Sequence, residues 1–287
     1  PSGRLSGMVC PAQVDTCRAE LIERAYDHAE GRNLPFQIHA AQSVTEFHEM
    51  IRRHGKTPIQ YLADLGLLGR GTILGHAMVI DDNDWVRWHS ETDLKLLGDS
   101  HTAVAHCPTP FMRYGTTMQH FGRYKEAGVV MGIGTDTIPH NYIEDLRYAA
   151  VLARVASHNG HAASTADVFH AGTIGGAEAL MRDDLGRLAV GAKADIVVLD
   201  GTHPVMMPLR DPLASLIHSA AERAVKDVYI DGIQTVKDHQ CLTLDRERGL
   251  AKVAEAQPRM EAGVPDRDYL NRSSLEIFPL SLPMAGD

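Results

Sequence analysis

Four short apolar runs each end on a side chain that can bind a metal or move a proton. Pro35-Phe36-Gln37-Ile38 ends in His39 and Gly71-Thr72-Ile73-Leu74-Gly75 in His76. Thr102-Ala103-Val104-Ala105 ends in His106, and Val129-Val130-Met131-Gly132-Ile133-Gly134-Thr135 in Asp136. Runs this short and this apolar suit strands buried on both faces. The polar ends are 37 (39 to 76), 30 (76 to 106) and 30 (106 to 136) residues apart. One βαβ unit takes roughly 30 residues or more. The pattern predicts successive parallel strands, each delivering one polar group at its C-terminal end. That is the end at which (β/α) barrels build active sites.

Helical spacing fills the gaps. Residues 15–31 form a predicted helix, capped by Asp15 or Thr16 and ended by Gly31. Ser43 caps a helix over 44–54, with Glu46 completing a capping box. Further helices are predicted over 57–66, with Pro58 in the first turn, over 90–97 after a cap serine, and near 142–159 and 164–181. Residues 111–128 read as a loop and a helix. The texture changes at Asp184. Ile196–Leu199 is a strand, the alternation across 225–238 around Asp231-Gly232 predicts a hairpin, and 241–245 is one more strand. A polar helix over 245–262 and an irregular tail follow.

Composition narrows the function classes. The chain has 287 residues, 44% hydrophobic and 23% charged, which suits a globular protein with a large core. A net charge of −9 argues against nucleic acid or an anionic membrane as partner. No apolar run approaches the roughly 18 residues of a membrane span, and no signal peptide is visible. Four cysteines without a CxxC pair point to a reduced, cytoplasmic setting. Sixteen histidines hint at metal or acid–base chemistry. The opening, PSGRLSGMVCPAQVD, reads as the interior of a longer chain.

Five segments carry a resemblance: QIHAAQS (37–43), LGHAMVID (74–81), VAHCPTP (104–110), GIGTDTIPHN (132–141) and GRLAVGAKADIVVLD (186–200). In order and spacing they resemble the amidohydrolase superfamily, in its branch of triazine chlorohydrolases and guanine and cytosine deaminases. The resemblance implies an α/β fold: a distorted (β/α)8 TIM-like barrel, of which this chain covers roughly the later strands, plus a small C-terminal β-sandwich portion. Residues 1–184 would be the later part of the barrel with the metal site, 185–245 the sandwich strands, and 246–287 a C-terminal helix and tail. One divalent transition metal is implied, zinc first, with iron, cobalt or nickel also suited to imidazole and carboxylate donors. His39 and Asp136 match metal ligands from the fifth and eighth barrel strands. His76 ends the sixth, where it contacts substrate or attacking water, or ligates the metal. His106 ends the seventh, where the segment shapes the pocket. Asp136 would also take a proton from water activated by the metal, and His76 would orient that water. A small-molecule substrate and a homo-oligomer are implied as well.

Two departures shape the expectation. The family's metal site begins with an HxH pair on the first strand, and this chain has none. It also lacks about three βα units. The remaining barrel half is therefore expected from the same polypeptide or from a second chain. Deaminases of this branch carry HxxE, whereas here the motif is His39-Ala40-Ala41-Gln42. Glutamine hydrogen-bonds but cannot act as an acid. The expected reaction is hydrolysis of a C–N or C–Cl bond at an electrophilic carbon of a small nitrogen-rich heterocycle, or of a urea- or carbamate-like compound. Two alternatives stand: a classical aminoheterocycle deaminase, and a metal-free binding relative or inactive fragment. Gln42 is read as a substrate contact. His106 lines the pocket or is merely buried, and His140 lines the mouth or caps a loop. Cys107 reads as a packed residue, as do Trp85 and Trp88, and Glu144-Asp145 as a favourable helix start.

Overall fold

The computed structural model describes residues 3–119 and 121–282. His120 and the last five positions of the expected tail lie outside them. By compactness the chain divides into residues 1–233 and 234–287. This division differs from the 184/185 boundary of the sequence reading, which concerned barrel and sandwich strands.

In the first unit the order is α1 (Ala19–Glu30), β1 (Phe36–Ala40), α2 (Val44–His54), α3 (Pro58–Asp64), β2 (Thr72–His76), α4 (Asp93–Asp99) and β3 (Ala103–His106). Then come α5 (Pro108–Met112), α6 (Phe121–Glu126), β4 (Val130–Ile133), α7 (Tyr142–Ala156), α8 (Thr165–His170), a π-turn over Ala171–Gly175 and α9 (Gly176–Ala179). Beyond these lie β5 (Ile196–Leu199), α10 (Pro212–Ser215) and β6 (Val225–Ile230), and β7 (Ile233–Lys237) spans the division. The second unit holds β8 (Gln240–Cys241), α11 (Arg246–Ala262) and α12 (Ser274–Ile277). Among the described residues no helix is long and apolar enough to cross a membrane.

Strands β1 to β4 form one parallel sheet in chain order. Its register sorts the side chains into rows. Ile38, Leu74, Val104 and Met131 share a row on the face packed into the main core. Gln37, Ile73, Ala103 and Val130 share a row on the other face, where Ala179 of α9 packs on Ile73 and Ala103. The next row on that face is His39, Gly75, Ala105 and Gly132. Each predicted polar end therefore lies at the C-terminal edge of one sheet.

A further chain segment runs along β1. Val9 and Val14 donate to the Pro35 and His39 carbonyls at 3.0 Å each. The Gln37 amide donates to Val9 at 2.9 Å, and that of His39 to Ala12 at 3.3 Å. Sequence reading missed this pairing because Cys10-Pro11 breaks the alternation that marks a strand.

Several local expectations are corrected. Helix α1 starts only after Arg18, with neither Asp15 nor Thr16 capping it, and Gly31 ends it in a right-handed conformation. Ser90 does not cap α4; its hydroxyl donates to Asp81 at 2.8 Å, and Thr92 occupies the cap position. The strand expected over 241–245 stops at Cys241, because Asp245 caps α11 by accepting the Arg248 amide at 3.0 Å. Asp231 and Gly232 adopt φ +51° and +78°, as a two-residue type I′ turn requires.

A buried carboxylate couples this fold to pH. Asp93 is fully buried, accepting the Thr57 hydroxyl at 2.7 Å and the Asp81 amide at 3.0 Å. Burial, with Asp81 beside it, pushes its carboxyl up to about 7. Between about pH 4 and 7 the folded carboxyl thus holds a proton that the unfolded one has released. Stability falls through that window, by roughly 1 kcal/mol or less per pH unit. Buried His76 and His106 act with the opposite sign, so the clean measurement is a difference. The melting temperature of wild type minus that of Asp93→Asn should shrink from pH 4.5 to 7.5 and then level off. A constant difference would mean that Asp93 ionises normally.

Candidate active site

His39 ends β1 beside the Val9–Val14 segment. Its Nδ1 lies 2.6 Å from the Ala12 carbonyl oxygen. A carbonyl only accepts, so Nδ1 carries the proton and Nε2 keeps its lone pair. Metal-binding histidines are commonly fixed in this way, the far ring nitrogen donating to a backbone carbonyl. Gly75, next to His39 in the row, leaves room for the ring: a Cβ there would stand 3.1 Å from His39 Cδ2.

His76 falls in the row of Ala40, one position out of step with His39. Its φ of +83° breaks the alternation, and the two imidazole centroids lie 5.4 Å apart. His76 also meets Phe111 edge-on at 4.6 Å. It is buried, and its Nδ1 has no hydrogen-bond partner. Burial pushes the imidazole down to about 4; Asp136 opposes the shift and His39 adds to it.

Asp136 follows β4 in an exposed position at φ +55°. Ala41 at +54° and Ala77 at +42°, after β1 and β2, are also left-handed. Such conformations cost on the order of 1–3 kcal/mol in a non-glycine residue and gather at functional sites. Here they mark the ends of three of the four strands.

The remaining sequence candidates divide. His106 is buried against Phe121 at 5.9 Å, its Nδ1 unpartnered, and burial pushes it down to about 3. Cys107 is buried with its thiol pushed up to about 12, mainly by burial, which suits packing and not attack. Gln42 is half-buried at the turn after β1. His140 is exposed and shares a 3.0 Å hydrogen bond with the Thr135 hydroxyl, so its ring is tied to the loop that carries Asp136. Trp88 packs on Phe47. A cavity of about 470 Å³ opens at the start of β4, lined by His101, Lys125, Met131, Asp167, His170 and Glu178. None of the candidate residues borders it.

The donors suit a transition metal in kind: one imidazole with a free Nε2, a second with an unpartnered Nδ1, and a carboxylate close enough to the second to act on it. In number they do not suffice. Among the described residues no three His, Cys, Asp or Glu side chains gather closely enough to hold an ion. A catalytic zinc takes about three protein ligands. The expected set of His39, His76 and Asp136 is thus brought into one neighbourhood but not onto one point.

The pattern of the amidohydrolase family matches residues 2–234. This chain belongs to the amidohydrolase family. A 5-methylthioadenosine/S-adenosylhomocysteine deaminase of Shouchella clausii is 29% identical over 265 residues, covering 91% of this chain and 59% of that protein. A zinc-bound adenosine deaminase structure from Xanthomonas campestris superposes with a TM-score of 0.81 at 25% identity, over 88% of this chain and 57% of that one. Atrazine chlorohydrolase TrzN from Arthrobacter aurescens, complexed with zinc, gives 0.76 at 25% identity, over 86% and 53%. The chain therefore spans less than two thirds of each of these relatives. Their likeness makes the parallel sheet one of the TIM-like barrel type of α/β fold.

Proposed function

We propose that this chain carries the later half of a metal-dependent amidohydrolase site that hydrolyses a C–N or C–Cl bond of a small nitrogen-rich heterocycle, or of a urea- or carbamate-like compound. The observation that carries this reading is the His39 imidazole, fixed by Ala12 with Nε2 free, 5.4 Å from the His76 ring. His39 and Asp136 would hold one divalent ion, zinc by preference, with His76 beside them. When bound, the ion supplies Lewis acidity to the water and to the carbon under attack. Asp136 takes the proton released as water attacks. His76 orients that water. Gln42 hydrogen-bonds the leaving group without supplying a proton, and His106 and His140 border the substrate.

Because three donors do not meet, we assign the missing ligands to another segment of the same polypeptide or to a second chain. The same reading assigns residues 1–184 to the barrel, 185–245 to a small sandwich and 246–287 to a helix and tail, in a cytoplasmic homo-oligomer. The test is metal content by inductively coupled plasma mass spectrometry, after growth with added zinc, iron or cobalt. About one transition metal per chain supports the reading; essentially none overturns it.

The deaminase relatives favour a second reading, in which ammonia leaves from an aminoheterocycle. Gln42→Glu separates the two. A gain of tenfold or more in ammonia release means that the site is built for deamination and lacks only the acid. No gain, or a loss, means that Gln42 serves a substrate whose leaving group needs no proton.

A further inference from the structure

Among the described residues three helices begin with a reciprocal capping box, and α2 does not. Gln60, Asp167 and Glu276 each return their side chain to the amide of their own cap residue, Thr57, Ser164 and Ser273. None of those three side chains is buried. At α2 the cap serine is in place, Ser43 accepting the Glu46 amide at 3.1 Å. The carboxylate of Glu46, however, reaches past Ser43. It accepts the Ala41 amide at 2.5 Å and the Gln42 amide at 3.0 Å, and it is 1% exposed. Ser43–Glu46 is thus half a capping box, correcting the sequence expectation. Burial pushes this carboxyl up to about 7 although both amides pull it down. Capping a helix does not call for so costly a placement.

The amides it holds lie between two candidate residues. Ala41 sits two positions after His39 and directly before Gln42, in a left-handed conformation. Its carbonyl accepts the amides of both Met78 and Val79 at 2.8 Å, just after His76. The Ala77 amide donates to Ala40 at 3.0 Å, and the Tyr124 hydroxyl to Ala77 at 2.5 Å. One carboxylate therefore stands at the root of a hydrogen-bonded bridge between the turn after β1 and the turn after β2.

We propose that Glu46 is a positioning residue, whose carboxylate fixes the Ala41-Gln42 turn and, through the Ala41 carbonyl, holds the His39 and His76 strand ends in one arrangement. Its consequence for turnover rests on the hydrolase reading above; the bridge itself does not. Glu46→Gln keeps the volume but offers one acceptor instead of two, and Glu46→Ala removes both. Hydrogen exchange read by mass spectrometry on the full chain should show peptides 37–43 and 74–80 exchanging at least tenfold faster in both variants. Peptides from the second half of α2 and from β3 should stay within twofold of wild type. Uniform acceleration, or none after β2, would reduce Glu46 to a buried structural residue and overturn the proposal. In the kinetic arm, kcat should fall tenfold or more with KM within threefold. Adding Glu46→Gln to Gln42→Ala should still lower kcat several-fold, because the His39 and His76 strand ends depend on the bridge and not on the Gln42 side chain, whereas no further loss counts against the bridge. If wild type holds metal but turns over no substrate, exchange alone decides on Glu46, and it is the hydrolase reading that fails.

Discussion

Asp136→Asn is expected to lower turnover by about 10²–10⁴-fold, the range seen when a positioned proton acceptor is removed. The fold should survive, because Asp136 is exposed at the end of β4 and outside the core. Asparagine is the cleaner substitution. At φ +55° it tolerates the left-handed backbone that alanine resists. Asp136→Ala should be equally inactive and somewhat less stable. Product release under saturating substrate, paired with thermal melting, checks both parts. An active Asp136→Asn or Asp136→Ala protein would remove this residue from the mechanism.

A large loss of stability is expected at Gly175. The π-turn lies so close to β4 that a Cβ on Gly175 would stand 2.1 Å from the Met131 carbonyl oxygen. No rotamer relieves that contact, since both partners are backbone. The neighbouring Gly176 Cα is already within 3.8 Å of where a Gly132 Cβ would sit. Gly175→Ala must push the helix off β4 or distort the strand that leads to Asp136. About 2–3 kcal/mol of lost stability is the expected scale for such overpacking. Soluble yield and melting temperature measure it; a melting temperature within one degree or so of wild type would mean that the turn yields freely. Tyr142 spans the same seam, its hydroxyl 2.8 Å from the Gly172 carbonyl and 3.2 Å from that of Ile133.

The four strands were legible because each is a short apolar run between turn signals, and a parallel strand buried on both faces leaves that trace. Their polar ends were legible for the same reason, since a histidine or aspartate after such a run stands out. What lay hidden has no period. The Val9–Val14 segment pairs through its backbone around Pro11, so no alternation announced it, and with it went the Ala12 carbonyl that fixes His39. The capping signature at Ser43 and Glu46 was correct for the serine and misleading for the glutamate. Spacing shows that two groups can meet, not that another pair of amides will win. The left-handed φ at His76 and Asp136 was also invisible, and it is what breaks the strict alternation at those strand ends.

One layer of the sheet carries His39, Gly75, Ala105 and Gly132. Beside a single imidazole it places two hydrogen atoms and one methyl group. Beside His39 this layer therefore offers no polar side chain, and α9 closes over its far end, the Gly176 Cα standing 3.8 Å from where a Gly132 Cβ would sit. Ala105 is the one neighbour with a Cβ from which a larger side chain can grow, and it engages no side-chain hydrogen bond of its own. Ala105 already packs against the cluster of Ile73, Ala103 and Ala179, so a larger side chain there would press on α9 before it reached His39.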